Sequence, residues 1–165
     1  MKEGINLVSN VIRKKLNICD YVFEYQDKSL RNGELIYYFD ELEHVYYEND
    51  KRNDTVFEPV IGLEIRANDE NDQTFSFGFM INMNLEQLNS VSSDIVNINE
   101  HIVSGEIFFS DLSNQISKQI YLTKETDKYA NPANIWIAKI DFNKILVKIS
   151  IPEEKLFIWF HMDLN

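Results

Sequence analysis

Thr74–Asn84 reads "TFSFGFMINMN", and apolar residues alternate with small or polar ones along almost all of it. Phe75, Phe77, Phe79, Ile81 and Met83 fall on one side. Thr74, Ser76, Gly78, Asn82 and Asn84 fall on the other, where only Met80 is bulky. A period of two marks a β-strand with one face turned to apolar surroundings. So greasy a face is either sheet core or a surface kept for a partner.

The end of the chain favours core. "NIWIAKIDF" (134–142), "KILVKISI" (144–151) and "KLFIWFHMDL" (155–164) carry the same alternation. They are separated only by Asn143 and by Pro152-Glu153-Glu154. Short polar joints between alternating segments predict an antiparallel three-stranded meander. Its apolar face holds Ile145, Val147, Ile149 and Ile151, beside Leu156, Ile158, Phe160 and Met162. That face is the expected neighbour of the Phe75–Met83 row.

Working back from Thr74, "NDENDQ" (68–73) reads as a loop, and 60–67 with 74–83 as one hairpin. "TVFEPVIGLEIRA" (55–67) reads as a strand pair or a bulged strand. Pro59 cannot donate to a central ladder, so it marks an edge or a bulge. "NDKRND" (49–54) reads as a polar loop, 34–40 as a strand, 43–48 less clearly so, and Asn32-Gly33 as a turn. Residues 4–16 place Ile5, Val8, Ile12 and Leu16 at helical spacing and predict an N-terminal helix. Downstream, Asn84 and Gln87 form a helix-capping pair, 105–112 is strand-like, and 113–129 fits helix or strand.

These elements predict a β-rich α+β fold in a single domain, 1–165, with the helix at 4–16 and a β-rich body over 18–164. The body is an antiparallel sandwich or curved sheet of about seven to nine strands. The composition agrees: of 165 residues, 44% are hydrophobic and 13% aromatic, enough for a sizeable core.

The net charge is −11 and unevenly spread. Residues 20–72 carry fifteen acids and five bases, −10, whereas residues 1–19 carry +3 and residues 73–165 carry −4. Such a field opposes nucleic acid, whose binding depends on Lys and Arg at phosphates. It suits a basic protein partner or a cation, or serves solubility alone. No segment approaches the roughly 18 apolar residues of a membrane helix, and residues 1–17 lack a leader's apolar run. No membrane association is expected, and the cytoplasm is the expected compartment. Cys19, the single cysteine, cannot form an internal disulfide and is expected to be a small buried hydrophobe.

Catalytic motifs are missing. The glycines at 4, 33, 62, 78 and 105 build no phosphate loop, and there is no G-x-S-x-G, C-x-x-C or H-E-x-x-H. No catalytic residue is assigned. His44, His101 and His161 with neighbouring carboxylates leave a metal-assisted hydrolase as one alternative, and a structural or assembly subunit as another. The acids of 48–54 and 68–73 have the oxygen chemistry of a Ca²⁺ site, with Asp50, Asp54, Asp69, Glu70 and Asp72 as ligands if the two loops meet. The most unusual stretch is "YYFDELEHVYYEND" (37–50). It sets Tyr37, Tyr38, Phe39, Tyr46 and Tyr47 among Asp40, Glu41, Glu43, Glu48 and Asp50, the mixture of rings and acids expected of a surface for a basic protein, with the four tyrosines, Asp40, Glu41 and Glu43 as its contact residues. The leading expectation is therefore a non-enzymatic acidic binding protein, of inhibitor or immunity type.

Overall fold

The computed structural model describes residues 11–110, 115–120 and 134–164, and among them the side chains at 42, 44–47, 52–55, 108–110 and 115–120 are not described. Two six-stranded antiparallel sheets make the fold. The first sheet comprises β1 (Ile12–Lys15), β4 (Arg31–Glu48), β5 (Lys51–Asn68), β6 (Thr74–Ile81), β8 (Ile102–Ser110) and β9 (Gln115–Ile120), in that order across the sheet. The second comprises β2 (Tyr21–Tyr25), β3 (Lys28–Ser29), β7 (Val96–Asn97), β10 (Asn134–Asp141), β11 (Lys144–Ile151) and β12 (Leu156–Asp163). Its spatial order is β3-β2-β12-β11-β10-β7.

The strands form because their period-two patterns each offer a face that the opposite sheet can bury. Phe75, Phe77, Phe79, Ile81 and Met83 are all buried and share one core cluster with the Ile145–Ile151 and Leu156–Met162 rows. Phe77 and Phe160, each 0% exposed, are the largest side chains at the centre. Tyr25 of the second sheet meets Phe75 of the first, with ring centroids 5.3 Å apart. The Phe75–Met83 face is core.

β5 and β6 pair from Ile61↔Ile81 to Asn68↔Thr74, the hairpin expected around the 68–73 loop. After β6, Asn84 caps α1 (Leu85–Asn89): its side chain accepts from the Gln87 N–H at 2.8 Å, and the Gln87 side chain accepts from the Asn84 N–H. β9 gives the undecided region 113–129 a strand at 115–120, and 121–129 lies outside the described residues.

Several expectations are corrected. Residues 12–15 are a strand, not part of a helix; 4–10 lie outside the described residues. Pairing with β4, from Ile12↔Tyr37 to Lys15↔Glu34, overrides the helical spacing, and an Arg13–Glu34 ion pair at 3.6 Å joins the two. Twelve strands form among the described residues rather than seven to nine, two of them only two residues long.

Residues 51–54 are strand and not loop. β4 and β5 are each 18 residues long and are joined by Asn49 and Asp50 alone. Both joining residues have positive φ, 55° and 64°, as a two-residue type I′ hairpin requires. Asn32-Gly33 is not a turn between strands; it lies inside β4, where the register with β5 shifts between Arg31 and Glu34. Cys19 is exposed, on the 3-10 turn Ile18–Asp20 that carries the chain from the first sheet to the second.

Candidate functional site

The first sheet is not equally wide along its length. β1 flanks β4 only as far as Tyr37, and β6 flanks β5 only as far as Ile61. Beyond those points β4 and β5 continue as a two-stranded ribbon, from Phe39↔Ile61 to Glu48↔Lys51. No third strand pairs with it among the described residues. Ten residues at about 3.3 Å each give this arm a reach of roughly 30 Å. Pro59 lies within it, where β5 has a strand on one side only, the edge setting its missing N–H demands.

One face of the arm continues the core. Tyr37 is buried, and its ring meets that of Phe39 edge-on at 6.2 Å. Phe39 is 38% exposed, and Phe57, further out on the same face, is 59% exposed. Between them the register sets Glu41 opposite Pro59 and Glu43 opposite Phe57, with both glutamates exposed. The aromatic row of the core thus runs out into solvent and acquires an acidic border. Residues 39–61 carry seven acids against two bases, −5 of the net −11.

The residues expected to form a partner surface divide accordingly. Glu41 and Glu43 stand on the arm, and Asp40, on the other face, is half-buried opposite Val60. Tyr46 and Tyr47 pair with Asp54 and Arg52 near its tip, and their side chains lie outside the described set. Tyr37 is a correction: 2% exposed, it belongs to the core, because its alternation puts it on the buried face of β4 with Leu35. Tyr38 is half-buried at the root of the arm, its ring against Gly62. Phe39, a ring of that stretch not counted among its contact residues, is one apolar member of the arm, and Phe57 is a second that the tyrosine-centred reading missed. Alternation continued from Tyr37 into 39–43, with Phe57 paired back across the turn, would have found it.

The expected calcium ligands do not converge. Asp50 is in the turn before β5, Asp54 near its start, and Asp69, Glu70 and Asp72 in the turn after its end. Even Asp54 is separated from Asp69 by the strand's remaining residues, 55–68, on the order of 45 Å at about 3.3 Å per residue. Asp69 instead organises its own turn. Its Oδ1 accepts from the N–H groups of Asn71 and Gln73 at 2.8 and 2.9 Å, and Lys28 Nζ lies 3.5 Å from Oδ2. Burial pushes this carboxyl up, but the Gln73 and Asn71 N–H groups and the Lys28 ammonium outweigh it and hold the pKa below its ordinary 3.8. Among the described residues, no group of three or more His, Cys, Asp or Glu is placed to hold a metal.

The histidines also stay apart. His161 Nδ1 is 3.5 Å from Asp20 Oδ1, beside a small polar hollow that Lys14, Lys144 and Asp163 also line. His101 is not among the residues lining that hollow, and its Nε2 lies 3.5 Å from Glu100 Oε1. As neighbours on a strand, Glu100 and His101 would point apart. They approach because both sit on a 3-10 turn, Asn99–His101. The His44 side chain lies outside the described set.

No protein-family model, no curated protein and no solved structure matches the chain. No helix among the described residues is long and apolar enough to cross a membrane.

Proposed function

We propose that the protein is a non-enzymatic binding protein that engages a basic protein partner through the β4–β5 arm, as an inhibitor or immunity-type protein would. The arm itself carries this reading: a two-stranded ribbon with Phe39 and Phe57 exposed on one face and glutamates bordering them. Isolated two-stranded ribbons are at best marginally stable in water, so a partner that buried these rings would stabilise the arm as it bound. The acids attract a basic surface from a distance, and the rings give the complex a desolvated anchor. The exposed single thiol of Cys19 suits a reducing compartment, and the proposal sets the protein in the cytoplasm.

The test begins with affinity capture from the native host and purification of the captured partner. Reversing Glu41 and Glu43 to Lys should mainly slow association. The deficit should shrink in about 1 M salt, where the Debye length is about 3 Å. Phe57→Ala should instead speed dissociation, by a factor matching about 2 kcal/mol. Parental rates for both variants would sink the proposal.

A further inference from the structure

At the root of the arm the outer face of the first sheet carries a hollow of about 240 Å³. Two registered rows of residues form it. One runs Tyr38–Gly62–Met80–Ser104 across β4, β5, β6 and β8; the next runs Ile36–Glu64–Gly78–Glu106. The two central glycines differ in kind. A Cβ on Gly62 would collide with the Tyr38 ring, so that glycine is a packing necessity. A Cβ on Gly78 would meet only the Leu63 carbonyl oxygen at 3.7 Å and Glu64 Cγ at 4.0 Å, ordinary contact distances. The Gly78 backbone is not left-handed either. Neither packing nor conformation requires glycine at 78, and its effect is to leave the row open between two glutamates.

We infer that this hollow receives one lysine or arginine side chain of the basic partner, an inference that rests on the arm reading above. Ile36, Tyr38 and Met80 give apolar walls, and Glu64 and Glu106 stand on either side of Gly78. Strands lie about 4.8 Å apart, so the two glutamate backbones are roughly 10 Å apart with the gap between them. Glu64 already holds Arg66 Nε at 2.7 Å, whereas Glu106 has no ion-pair partner among the described residues. An apolar stem ending in a cation matches walls and mouth together, as Lys and Arg side chains do. The volume falls below the roughly 300–1,000 Å³ usual for small-molecule pockets and suits a single side chain. The hollow opens on the face opposite Phe39 and Phe57, since Tyr38 and Gly62 precede the pair Phe39↔Ile61 by one residue, and half-buried Asp40 and Glu58 continue that acidic face along the arm, so one partner reaches both by wrapping the arm's open edge.

The probe is butylguanidinium chloride, followed by amide shifts in ¹⁵N–¹H spectra, with butanol and guanidinium chloride as controls. Saturable shifts at Gly62, Gly78 and Gly105 are expected with the probe in the millimolar range, and not with either control. Glu106→Gln should weaken probe binding at least fivefold. Gly78→Leu should abolish it by filling the gap, and Gly78→Ala, which fits without a clash, keeps the test alive if the leucine variant does not fold. Phe57→Ala should leave probe binding unchanged, which separates the hollow from the arm. With the purified partner, Gly78→Leu and Glu106→Gln should speed dissociation about tenfold. No saturable shift, or equal shifts with butanol, would overturn the hollow's chemistry. Probe binding without any effect on the partner's dissociation would overturn the occupant. Failure to capture any partner would overturn the arm reading and the source of the side chain with it, while the titration would still decide what the hollow binds.

Discussion

Gly33 lies under the ring of Tyr21, and its N–H donates to the Tyr21 hydroxyl at 2.9 Å. A Cβ here would fall 2.7 Å from the ring, which is buried and cannot swing away. Gly33→Ala should therefore destabilise the protein by about 1–3 kcal/mol in urea unfolding, the usual cost of overpacking. Tyr21→Phe should also destabilise, by about 1–3 kcal/mol, since it keeps the ring but leaves the buried Gly33 N–H without its acceptor. An undiminished Gly33→Ala loss in a Tyr21→Leu background would show that the ring contact is not what demands glycine. The glycine was legible in the sequence but its reason was not. Asn32-Gly33 has the look of a turn, and Asn32 does take a positive φ of 61°, yet the residue that requires Gly33 lies twelve positions away on the other sheet. Asp69 offers a second test at this scale. Its folded pKa is depressed, so the stability it contributes is present above the ordinary carboxylate range and is lost as pH falls through the folded value. Asp69→Asn should lower the melting temperature at pH 7, and the gap from the parent should narrow below about pH 4. A gap that stays constant down to pH 2 would remove the charge from the account.

Elements were legible where their cause is local. The capping box at Asn84 and Gln87 involves two residues three apart, and helix α1 begins where that pair predicts. Strand ends are different, because they depend on neighbours. Residues 51–54 are polar enough to read as loop, but as half of a ribbon they need no apolar face, and a type I′ turn can be made from Asn49 and Asp50 without any glycine. β1 was misread for the same reason: the isolated spacing of Ile12 and Leu16 cannot reveal that β4 offers an edge to pair with. The ribbon has a measurable signature. With no flanking strand among the described residues, its amides should open locally, at a free energy well below that of global unfolding. In hydrogen exchange, the ladder amides of Leu42, His44, Val56 and Glu58 should exchange at least tenfold faster than those of Leu63, Ile65, Phe77 and Phe79 in the wider sheet. Equal protection would mean that the arm is held by more than its own ladder.

For the molecule as a whole, the alternating face of Thr74–Asn84 and the three strands after Asn134 were enough to predict a β-rich body with those residues at its centre. How the strands are ordered was not legible. Period-two alternation says which side of a strand is buried, but carries no address for the neighbour. β2 shows this most clearly: it leaves β1 through one short turn, yet pairs with β12, Phe23 opposite Ile158 and Tyr21 opposite Phe160. The second sheet is thus closed by strands from far apart in the chain, the kind of contact that costs most in loop entropy and forms slowly. That pairing bears on how the protein is made. While the ribosome still holds residues 156–163, β2 and β11 each lack the neighbour that joins them, and the Ile145–Ile151 row has no Leu156–Met162 row beside it. A nascent chain stalled before Leu156 should therefore be cut by protease within its emerged strands, whereas one stalled far enough beyond Asp163 to free β12 should resist. Resistance in both would mean that the first sheet protects itself during synthesis without waiting for the last strand.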